Sequence, residues 1–137
     1  MTDPRREIAA GLVTERVVAL VLAALLGGYG MLLLGHGEDL WSLRTYGPAL
    51  SVPGGVVTWM VAAFVSALLL VVGTITRRER VVGAGATIAG VWLSIFAAMF
   101  GIAALDSGEA VALPGVLVYA CAAFLAAARA ATAVGRH

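Results

Sequence analysis

The chain has 137 residues, of which 61% are apolar and 12% charged, and its formal net charge is +1. Soluble domains are about 45–50% apolar and about 25% charged, so this composition excludes a water-soluble globule and a disordered tail alike. The length suits one domain, and a mean hydropathy of +0.99 points to a protein of the membrane.

In chain order, the first predicted element is a helix start, with Asp3 as N-cap and Pro4 at the first helical position. This helix is expected to run on into a charge-free span at 17–35. Crossing about 30 Å of hydrocarbon takes about 20 helical residues, so the span is long enough. A cleaved signal peptide is the competing reading; its apolar core is usually about 7–15 residues, and no A-x-A site follows here. Residues 36–55 form the longest stretch outside the spans. Trp41 and Tyr46 within it are suited to the headgroup level and are predicted to anchor this outer loop to the membrane surface. Either a short interfacial helix over 39–45 or an irregular loop fits, with Gly47-Pro48 ending whatever forms.

Three further spans follow, at 56–75, 81–105 and 110–128. Each is apolar all round, as expected of a helix among lipids or other apolar helices, and every backbone polar group in hydrocarbon needs an internal partner. A β-barrel would need period-two alternation, which is missing. The expected fold is an all-α integral membrane protein, residues 1–137 forming one domain of four transmembrane helices arranged as two hairpins.

The arginines set the direction. All nine basic residues are Arg. Arg5, Arg6 and Arg16 precede the first span, Arg77, Arg78 and Arg80 join the second to the third, and Arg129 and Arg136 follow the fourth. Only Arg44 lies in the opposite connections. By the positive-inside rule both termini and the 77–80 turn are cytoplasmic, in a multi-pass protein of the cytoplasmic membrane.

The second and fourth spans begin alike: Ala49-Leu-Ser-Val-Pro53-Gly-Gly-Val-Val and Ala110-Val-Ala-Leu-Pro114-Gly-Val-Leu-Val, 61 positions apart. Pro53 and Pro114 are both expected near a first helical turn, where a missing N–H costs nothing. The match fits a duplicated hairpin, and also two independent Pro-started helices.

Little chemistry is on offer. The predicted spans contain no Asp, Glu, Lys, Arg or His, the usual marks of proton relays, coupled transport and haem ligation. His36 and His137 lie outside them, so no Ser–His–Asp arrangement can be assembled, and Gly83-Ala-Gly85 lacks the Lys of a phosphate loop. A metal site from His36, Glu38 and Asp39 competes with an ordinary hydrated loop. Cys121 has no partner within the chain and is expected to pack as a small apolar residue. No enzyme, no cofactor, no metal and no nucleic-acid partner are expected.

What remains is packing. Ala86, Gly90, Ser94 and Ala98 recur every four residues on the third span, a small-residue stripe that allows close helix approach. The stripe serves either assembly of copies or packing within one chain. Ala122, Ala126 and Ala130, and the pairs Ala23/Gly27 and Ala24/Gly28, repeat the pattern. Trp92 and Phe96, away from the stripe, are expected to face lipid or a partner.

Four short spans, both termini inside, all-Arg charge and the segment Tyr46-Gly-Pro-Ala-Leu-Ser-Val-Pro-Gly-Gly-Val-Val-Thr-Trp59 resemble small membrane proteins of actinobacteriophages. Some of these are encoded near lysis genes and regarded as holin-like. The resemblance implies a protein that accumulates in the cytoplasmic membrane, assembles laterally and permeabilises it. Two other readings stay open: an accessory or binding subunit of a membrane complex, including one that excludes superinfecting phage, and a small channel or transporter. The expected partners are the lipid bilayer and either further copies of the chain or another membrane protein.

Overall fold

The computed structural model describes residues 4–41, 47–107 and 113–135, with side chains described at 11–36, 50–106 and 113–135. Five helices make up the described chain: α1 (Pro4–Trp41), α2 (Gly47–Leu50), α3 (Gly55–Thr76), α4 (Glu79–Ser107) and α5 (Leu113–Val134). All but α2 are long and apolar enough to cross a membrane, over Gly11–His36, Gly55–Thr76, Glu79–Asp106 and Leu113–Val134.

The expected continuous rod at the N-terminus is present, since α1 starts at Pro4 and runs through the first span. It is broken at His36 (φ −134°, ψ 21°), which lies between Gly35 and Gly37, two residues of poor helix propensity. Helix then resumes to Trp41. The side chain of Trp41 and all of Tyr46 lie outside the described residues, as do Asp3, Arg136, His137 and the side chains of Arg5, Arg6, Glu38 and Asp39. Gly47-Pro48 opens the short helix α2, since Pro is well suited to a first helical turn; the stretch that it was expected to end, 42–46, lies outside the described residues.

The two Pro-started segments differ. Pro114 is the second residue of α5, as expected. Pro53 is a turn residue ahead of α3: the Gly55 N–H donates to the Val52 carbonyl at 2.8 Å, and Gly54 is left-handed (φ 86°, ψ −7°). Pro followed by a left-handed Gly is the signature of a type II turn. Thr58 Oγ1 then donates to the Pro53 carbonyl at 2.7 Å and ties the turn to the helix.

The helices pack in sequence order, α1 on α3, α3 on α4 and α4 on α5, with a thinner contact closing α5 onto α1. In a bilayer helix association draws on close packing more than on the hydrophobic effect, so small residues decide how near two axes come. The turn between α3 and α4 is the tightest place. A Cβ at Gly73 would stand 2.6 Å from the Val82 backbone nitrogen, so only glycine fits there. The α3 C-terminus closes with the Arg77 and Arg78 N–H groups both donating to the Gly73 carbonyl, Arg77 lying in the left-handed region (φ 55°, ψ 33°).

Candidate functional site

Three features stand out in the bundle: an aromatic centre, an open groove beside α4, and an ion pair at the end that carries the arginines.

Each long helix contributes a ring to the centre. Trp92 and Phe96 of α4 stack at 4.6 Å with planes 26° apart, and Trp59 of α3 meets Phe96 edge-on at 4.8 Å. Tyr29 of α1 meets Trp92 edge-on at 5.2 Å, and Tyr119 of α5 lies 5.4 Å from Phe96 and 5.2 Å from Phe100. Phe96 is fully buried and Trp92 nearly so. This corrects the expectation that both face lipid or a partner. The reason is that α4 is an inner helix of the row and has two covered faces. Ala86 and Gly90 lie on the side of α5, and Trp92 and Phe96 turn to the centre, where they meet rings of α1, α3 and α5. The Trp92 Nε1 is buried with no hydrogen-bond partner among the described residues.

The predicted small-residue stripe divides in two. Ala86 is fully buried, and a Cβ at Gly90 would make ordinary contact with Ala126 Cβ at 3.7 Å and the Ala123 carbonyl at 3.8 Å. This half packs on α5 of the same chain, where Ala122 and Ala126 are buried. Ser94 and Ala98 are exposed. Ser94 also lines an open groove of about 500 Å³ between α4 and α5, with Ala86, Gly90 and Val91 on one wall and Ala123, Ala127 and Ala130 on the other. Thr87 donates to the Gly83 carbonyl at 2.8 Å, so its hydroxyl is already spent on its own helix. On α1, Ala23 is buried and Gly27 faces Ala67, while Ala24 and Gly28 are open to the outside. Cys121 is also exposed, on the outer face of α5.

The sequence ends the fourth span at 128 and puts Arg129 in the cytoplasmic tail; α5 instead continues to Val134. Ala122, Ala126, Arg129 and Ala133 follow one another at helical spacing on its buried face. Arg129 is 4% exposed, and its Nη2 donates to Glu79 Oε2 at 2.7 Å. Nη1 donates to Thr132 Oγ1 at 3.2 Å. Glu79 stands in the first turn of α4, where the helix dipole favours a carboxylate. Glu15 and Thr14 of α1 line a crevice with Arg129 and Thr132, so the pair that joins α4 to α5 borders α1 at this end. Arg16, Arg77, Arg78 and Arg80 at that same end are exposed. A sequence signal existed, since Arg129 falls on the line of small residues that marks the inward face.

Among the described residues no group of three or more His, Cys, Asp or Glu is placed to hold a metal ion, and His36 is exposed. No protein-family model matches the chain, and no curated protein or solved structure is detectably similar to it.

Proposed function

We propose that the chain is a non-catalytic multi-pass protein of the cytoplasmic membrane, with both termini and the 77–80 turn on the cytoplasmic side. It acts by lateral assembly of copies, in the holin-like manner of opening a lesion in the bilayer. One observation carries this reading: rings from all four long helices fill the middle of the bundle, while small residues lie open on its outer face. A filled interior leaves no conduit through a single chain, so permeation has to arise between chains. Open small-residue faces at Ser94/Ala98 and Ala24/Gly28 allow the close helix approach that such assembly needs.

Induced expression in a bacterial host should collapse the membrane potential, read with a potential-sensitive dye. The double replacement of Ser94 and Ala98 by Leu fills the exposed half of the stripe and the open groove, and leaves the buried contact of Ala86 and Gly90 with α5 in place. That variant should melt like the parent in detergent, run as a smaller assembly and leave the potential intact. Normal growth with full polarisation of the parent protein, together with a specific membrane protein co-purifying, would replace self-assembly by the role of an accessory subunit.

A further inference from the structure

We infer that the arginine-bearing end of the bundle is a docking surface for the headgroups of anionic phospholipids. The inference rests on the reading that the four long helices span a bilayer. Arg16 on α1, Arg77 and Arg78 in the turn and Arg80 at the start of α4 are all exposed. None of these four guanidinium groups has a hydrogen-bond or ion-pair partner among the described residues. The two acids described at this end are drawn inward. Glu79, flanked by Arg78 and Arg80 in sequence, is held by Arg129, and Glu15 is half-buried beside the same arginine in the α1–α5 crevice. The buried pair thus engages the carboxylate that would otherwise neutralise the turn, and among the described residues the fully exposed charges at this end are all arginines.

Depth argues for lipid. Ile75, two residues before Arg77, is 73% exposed, so bare apolar surface lies immediately beneath the arginines. A guanidinium at that boundary keeps its stem along the apolar surface and its charge among the headgroups. Its planar fork matches phosphate oxygens in a bidentate manner.

The backbone offers independent support. Arg77 occupies the left-handed position that closes α3 (φ 55°, ψ 33°), where glycine is the residue of lowest cost. The chain carries an arginine there at a conformational cost, as expected if its side chain is used.

The test is native mass spectrometry of the full chain after reconstitution in vesicles of equal phosphatidylcholine and phosphatidylglycerol and extraction in mild detergent. The parent should retain phosphatidylglycerol in preference to phosphatidylcholine. Arg77→Gly relieves the left-handed strain and should melt at or above the parent temperature, yet lose roughly five-fold of that preference, the value of one interfacial arginine. Arg80→Gln, on an exposed helical position, should do the same if Arg77→Gly alters the fold. Equal retention of the two lipids by the parent would overturn the inference, and so would an unchanged preference in a folded variant. Flotation of the parent with pure phosphatidylcholine vesicles reads insertion separately, so failure of the spanning reading is distinguishable from failure of lipid selectivity.

Discussion

Replacing Phe96 with Ala should lower stability in detergent or bicelles by about 2–3 kcal/mol, read as a fall in the thermal or denaturant midpoint. The ring is fully buried and touches partners on all four long helices: Tyr29, Trp59, its neighbours Trp92 and Phe100, and Tyr119. A buried Phe→Ala change in a water-soluble protein costs about 3–5 kcal/mol, part of it transfer of the side chain out of water and part the cavity left behind. In a bilayer the transfer part largely vanishes, because the alternative environment is lipid. The cavity and the lost ring contacts remain, at about 0.5–1.5 kcal/mol for each aromatic pair. Phe124 supplies the control. It is 74% exposed, so the same truncation there should cost less than about 0.5 kcal/mol.

The second large effect is an order among three variants. Glu79→Leu should be the most damaging, Arg129→Leu intermediate, and the double variant close to the parent. The asymmetry follows from exposure: the Arg129 side chain is 3% exposed and that of Glu79 is 32% exposed. Removing the carboxylate strands a guanidinium where water cannot reach it, at about 3–5 kcal/mol. Removing the guanidinium leaves a carboxylate that still meets solvent and the α4 N-terminus, at about 1–3 kcal/mol. Replacing both by apolar residues leaves neither member of the pair stranded, and exchanges of this kind are often near neutral. Melting temperatures of the three variants in one detergent decide it. A double variant as unstable as Glu79→Leu would mean that the pair is not the source of the effect.

The four long helices were legible in the sequence because each is an apolar run of sufficient length, and that signal is strong in a chain with 12% charged residues. Their ends were less legible. Counting a charge as the end of a span stops the fourth at 128, yet the helix continues past Arg129 because a carboxylate 50 residues earlier in the chain receives its guanidinium. Pairing across such a separation leaves no local trace. The covered face of α4 is illegible for a related reason. A single small-residue stripe suggests one covered face, but an inner helix of a row has two, and Trp92 and Phe96 fill the second. Pro53-Gly54 carries a turn signature and also a likeness to Pro114-Gly115, which does start a helix, and the spacing does not decide between them. Of the candidate site, the small-residue positions could be named from spacing alone. Which of them meet α5 and which stay open depends on how the helices lie against one another, and the spacing is silent on that.

The proposed arrangement, four spans across the cytoplasmic membrane with the arginine-bearing end inside, is open to thiol labelling in intact cells, with Cys121 replaced by Ala and single cysteines placed in turn at Arg78 and Gly37. A membrane-impermeant maleimide should label the cysteine at 37 in intact cells and the cysteine at 78 only after the membrane is opened. Labelling at 78 in intact cells, with 37 protected, would reverse the orientation, and labelling of neither or both would contradict the four-span arrangement itself.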